Sequence, residues 1–107
     1  MGGNMQKLMK QMQAMQSKMA KLQEELAARP FEATAGGGVV KVTVNGANEL
    51  IGVEISPEVM DPDDPEMLGD LIMAAANEAL RQAQQTTESE MGKLTQGLKM
   101  PGGRGLF

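Results

Sequence analysis

The chain has 107 residues, enough for one domain, with Phe31 and Phe107 as its aromatic residues and no Trp, Tyr, His or Cys. Those absences exclude imidazole and thiolate chemistry and the His and Cys metal ligands, and they leave a core of Met, Leu, Ile, Val and Ala that buries less area per residue. The net charge of −4 argues against a polyanionic partner until its placement is read: residues 1–29 hold five cations against two acids, residues 30–92 two cations against twelve acids, and residues 93–107 three cations and no acid.

Residues from about Asn4 to Ala28 read as one long helix of good helix formers, stopped by Pro30. Met5, Leu8, Met12, Met15, Met19, Leu22 and Leu26 step alternately by three and four, which is a heptad seam. So narrow a seam suits one facing helix, and that helix could come from the same chain or from a second copy. At 100° per residue Lys7, Lys10, Lys18 and Lys21 share a stripe about 80° wide and about 21 Å long, more than a quarter turn from the seam. No acid interrupts the stripe, because Glu24 and Glu25 come later. A rod carrying such a row fits a line of phosphates and would release counterions on binding. The plainer reading of the same lysines is a solvated helix face. Gln and Lys break every apolar run, so neither a signal peptide nor a membrane span is expected, and the expected location is the cytoplasm.

The middle of the chain reads as β. Phe31–Ala35 is a short strand, Gly36-Gly37-Gly38 a turn, and Val39–Asn45 a strand with Val40, Val42 and Val44 on one face. Asn45-Gly46 opens a second turn, and Leu50–Ser56 forms a third strand with Ile51, Val53 and Ile55 on one face. The short connections predict an antiparallel meander. The triple Gly lacks a following Lys-Ser/Thr and precedes a strand, so it is not a phosphate loop.

A Pro- and Asp-rich loop over residues 56–66 follows, with Asp64 as helix cap and Pro65 at the first helical position. Asp61, Asp63, Asp64 and Glu66 read as turn and cap rather than as a cation loop, and no metal or cofactor is expected. The second helix is predicted from Pro65 to about Lys93, with Leu68, Leu71, Ile72, Ala75, Ala79, Leu80 and Ala83 as its apolar stripe and Met91, Leu94 and Leu98 resuming it later. The domain is set at residues 1–98 and a flexible Gly-rich tail at 99–107. Each helix spans roughly 35–45 Å and a seven-residue strand about 23 Å, so the helices overhang the sheet, and a second copy is expected as cover.

The stretches GGGVVKVTVNG (Gly36 to Gly46) and VEISPEVMDPDDPEMLGDLIMAAANEAL (Val53 to Leu80) resemble the YbaB/EbfC family of nucleoid-associated proteins. The Met/Gln/Lys pattern of the first helix and the ending GLKMPGGRGLF are similar to that family's first helix and tail. The resemblance implies an α+β homodimer shaped like tweezers, a nucleoid location, and projecting helices that bind DNA. It assigns no individual DNA-reading side chain to a position here.

From the residues themselves the DNA-binding set is Lys7, Lys10, Lys18 and Lys21, with Lys93, Lys99 and Arg104 adding charge near the C-terminus. No base-reading constellation is visible, so double-stranded DNA is expected to be held through phosphates with low sequence preference. No nucleophile has a base beside it, so no enzyme is expected. The alternative is a protein-interaction module of DNA repair or replication, in which the Met seam and the tail hold a partner and DNA affinity is incidental. The acidic pI of about 4.8 favours that alternative.

Overall fold

The structure is a computed structural model that describes residues 2–96 of the chain. It is an α+β fold in the order α1 (Gly2–Ala28), β1 (Pro30–Ala35), β2 (Val40–Asn45), β3 (Leu50–Ile55), a 3-10 turn (Pro57–Val59) and α2 (Pro65–Gln96). The strands form one antiparallel sheet in the order β1-β2-β3. The predicted elements all form. β1 starts one residue earlier than the sequence pattern suggests, and β2 one residue later. The 3-10 turn lies inside the stretch read as loop.

Gly36, Gly37 and Gly38 all have positive φ, a backbone region open to glycine, and they close the β1–β2 hairpin. Asp64 caps α2 as its spacing predicts, its Oδ1 accepting the Met67 N–H at 3.2 Å. Asp61 Oδ1 accepts the Asp63 N–H at 2.9 Å, so these acids serve the turn and the helix start.

The core lies between one face of the sheet and α2. Val40, Val42 and Val44 are fully buried, as are Ala75 and Ala79, with Phe31, Ala33 and Ala83 beside them. Leu68, Leu71, Ile72 and Leu80 pack around this cluster, so the stripe read from the sequence is the face that α2 turns to the sheet. Alanines at its centre let the helix axis approach closely, and each buried valine contributes roughly 1.5–3 kcal/mol.

Leu71 lies against Gly36, at the hairpin end of the sheet, while Leu26 lies against Gly46 at the opposite end. α2 therefore runs the way β2 runs, and its C-terminal half leaves the sheet at the end where α1 arrives. The molecule is 76 Å long, more than either helix alone, since α1 spans about 40 Å and α2 about 48 Å. α1 thus projects away from the sheet, and it touches the rest of the chain near its C-terminal end.

β3 departs from the alternation expected for it. A bulge between Thr43 and Val44 puts Leu50 opposite Val44, while Val53 opposes Val42 and Ile55 opposes Val40. Ile51 becomes the extra residue of the bulge, and Leu50 joins the inner face in its place. α2 rests on β1 and β2, so that inner face stays half open at β3, where Val53 is 44% exposed.

Candidate nucleic-acid interface

α1 forms because its sequence is mostly Met, Gln, Lys, Leu, Ala and Glu with no β-branched residue, and it ends where Pro30 enters β1. Its apolar seam is buried by degrees. Leu26 is 2% exposed, Leu22, Met19 and Met15 are half-buried, and Met12, Leu8 and Met5 are open to solvent at 60–69%. Among the described residues, therefore, no helix of the same chain faces the N-terminal half of the seam. The overhang inferred from helix and strand lengths is the cause.

Lys7, Lys10, Lys18 and Lys21 are all exposed on α1. Among the described residues none of the four makes an ion pair: the pairs formed are Lys41 with Glu32 and Glu54, and Arg81 with Glu78. The stripe thus keeps four unneutralised ammonium groups in a row on the outside of the rod. Glu24 and Glu25 follow it toward the sheet, also exposed.

Lys93 is exposed in the last part of α2, the helix half that leaves the sheet at the α1 end. Lys99 and Arg104 lie outside the described residues, as do Leu98 and the tail, and the structure assigns them no place. The outer face of the sheet is polar, and its one cation lies between two acids. Lys41 sits between Glu32 at 3.5 Å and Glu54 at 2.9 Å, and the hydrogen bond to Glu54, with the charge of Glu32, raises the Lys41 pKa above its ordinary value.

Sequence reasoning missed the way α1 is seated. Its last turn lies against the β2–β3 turn, where a β-carbon on Gly46 would fall 1.9 Å from the Leu26 carbonyl oxygen. The Asn45-Gly46 dipeptide signalled a turn, but nothing in it signalled a helix arriving there. Among the described residues no three His, Cys, Asp or Glu side chains converge as a metal site, and no helix is long and apolar enough to cross a membrane.

The chain matches the profile of the YbaB/EbfC DNA-binding family over residues 1–98. A nucleoid-associated protein of Pelotomaculum thermopropionicum is 60% identical over 102 residues, covering 95% of this chain and 97% of that one. One from Desulforamulus reducens is 61% identical over 102 residues with the same coverage. In three dimensions the chain is similar to an uncharacterised Helicobacter pylori protein, with a TM-score of 0.70 at 22% identity over 82% of this chain and 92% of that one, a likeness of fold. With the profile spanning both helices and the whole sheet, the chain belongs to the YbaB/EbfC DNA-binding family.

Proposed function

We propose that this protein binds double-stranded DNA with low sequence specificity, as a homodimer that grips phosphates with the lysine-lined α1 helices, and that it acts in the nucleoid within the cytoplasm without catalysing a reaction. The observation that carries this reading is the row of Lys7, Lys10, Lys18 and Lys21, exposed and without an ion pair among the described residues. Each contacted phosphate releases condensed counterions, so the attraction is strong at low salt and blind to sequence. Exposed Lys93 extends the positive surface, and Lys99 and Arg104 of the tail follow it in sequence. The acids of the sheet and of α2 do little at the stripe, because charges beyond about 8 Å are screened at physiological salt.

Self-association is supported by apolar surfaces left open among the described residues, chiefly the N-terminal half of the α1 seam and the inner face of β3. A second copy pairing along the seam would turn the lysines outward, because the two stripes lie on different sides of the rod. The names of the relatives support the nucleoid as the setting.

The test is a gel-shift series with unrelated duplexes across rising salt, run beside a variant with Lys7, Lys10, Lys18 and Lys21 all changed to Gln. Wild-type affinity should fall linearly on a log–log plot and vary little with sequence. The variant should keep its helicity and oligomeric state and lose most of its affinity. Wild type with no DNA affinity at low salt would instead make the exposed Met seam a docking site for a repair or replication protein. Full affinity in the variant would move the grip to the C-terminal cations.

A further inference from the structure

The β2–β3 turn is braced from within. The Asn45 N–H donates to the Glu49 carbonyl at 2.9 Å, and the Asn48 N–H donates to the Asn45 carbonyl at 3.1 Å. Asn45 Oδ1 accepts from the Ala47 and Glu49 N–H groups, both at 3.0 Å, and Asn45 Nδ2 donates to Glu49 Oε1 at 2.8 Å. Asn48 sits in the left-handed region at φ 65°. Onto this turn comes the last turn of α1. The Leu26 carbonyl, which also accepts the Arg29 N–H at 3.2 Å, lies where a Gly46 β-carbon would meet it at 1.9 Å. Leu26 is also the one fully buried side chain of α1 among the described residues.

We propose that the Asn45–Glu49 turn, with Gly46 at its contact point, is a rigid seat that sets the angle at which α1 leaves the sheet and so positions the lysine row; this rests on the lysine reading given above. Gly46 and Asn45 are positioning residues that need not touch DNA. The turn is held by five hydrogen bonds among four of its own residues, whereas α1 touches chiefly β2 and α2, and lightly, with its seam open to solvent from Met12 outward, so a forced separation displaces the helix. Restoring an ordinary 3.4 Å contact moves the helix end by about 1.5 Å. Across one helical turn of about 5.4 Å that is a tilt of about 15°, and at Lys7, about 28 Å up the rod, a displacement of about 7 Å. A rigid tilt keeps the spacing within one row, but in the homodimer proposed above it moves the two rows relative to each other, and one duplex cannot then stay in register with both.

The absence of cysteine makes the test direct. Gln11→Cys on α1 and Thr34→Cys on β1, both exposed positions, carry spin labels on the full chain, diluted with unlabelled chain so that distances within one subunit are read by pulsed electron resonance. Gly46→Ala should shift the mean distance by several ångströms, and Gly52→Ala, whose β-carbon would meet Thr43 at an ordinary 3.7 Å, should leave it unchanged. Asn45→Ala, which removes the brace without adding a clash, should broaden the distribution. A folded Gly46→Ala chain with an unmoved distance overturns the seat; if that variant does not fold, an unaltered distribution in Asn45→Ala overturns it. In gel shifts Gly46→Ala should weaken DNA binding several-fold. Wild-type affinity there, alongside loss in the four-lysine variant, overturns the link from seat to grip, whereas undiminished affinity in the four-lysine variant refutes the lysine reading and leaves the distance measurement to judge the seat.

Discussion

Lys41 on β2 holds Glu54 on β3 at 2.9 Å and Glu32 on β1 at 3.5 Å, so one ammonium group ties all three strands together across the open face of the sheet. Cross-strand pairs of this kind stabilise a sheet modestly, and these are solvent-exposed. Their pH dependence has a definite sign. The folded Lys41 pKa is raised above the ordinary 10.5, first by its hydrogen bond to Glu54 and then by the charge of Glu32. The pair's stabilisation is therefore fully present below the unfolded value and is lost as pH rises through the folded one. Lys41→Met should lower the melting temperature slightly at pH 7, and the gap to wild type should close at strongly alkaline pH. A gap that stays constant with pH would assign the effect to packing of the lysine stem.

The lysine row predicts a graded response as well as a total one. Each phosphate contact contributes about 0.9 to the slope of log affinity against log salt. Lys7→Gln, Lys10→Gln, Lys18→Gln and Lys21→Gln, made singly, should each reduce that slope by about 0.9 if each ammonium meets one phosphate. Salt titrations of the four variants measure this. A lysine whose removal leaves the slope unchanged is not in contact.

Leu26 and Leu8 both lie on the α1 seam but with opposite surroundings, 2% and 60% exposed. Leu26→Ala should cost about 2–5 kcal/mol in denaturant unfolding at any protein concentration, because it empties a packed site. Leu8→Ala should leave a lone chain unaffected, and it should destabilise only through self-association. Its effect on melting should therefore depend on protein concentration. A concentration-independent loss at Leu8 would count against the seam as a self-association surface.

Ala79 is fully buried where α2 lies against the sheet. Ala79→Leu should force the helix outward at a cost of about 1–3 kcal/mol, visible as a lower midpoint in chemical denaturation. Ala74→Leu, on the exposed side of the same helix, is the control and should change stability little.

Much of this architecture was legible before any coordinates. The alternation of Val40, Val42 and Val44, the stripe from Leu68 to Ala83, and the Asp64-Pro65 helix start each specify a local geometry through side-chain spacing alone. The lysine row was legible for the same reason, since the angle between residues on a helix is fixed by its pitch. The bulge at Thr43/Val44 was not. Alternation assumes one residue per step, and the bulge moves Leu50 into register with Val44. Sequence spacing likewise gave the α1 seam one uniform character from Met5 to Leu26, while its burial falls away steadily from Leu26 outward.

Periodicity by itself determined which faces are apolar, which elements form and in what order, and where the cations lie along the first rod. The tertiary structure decided what each face meets: α2 covers β1 and β2 and leaves β3 open, and α1 is seated at Leu26 against Gly46, touches α2, and projects beyond them. The reason is physical. A repeat of 3.6 or 2 residues fixes directions around a local axis, but the distance between two axes is set by contacts between residues far apart in the chain, such as the Leu26 carbonyl against Gly46 and the Leu71 side chain against Gly36.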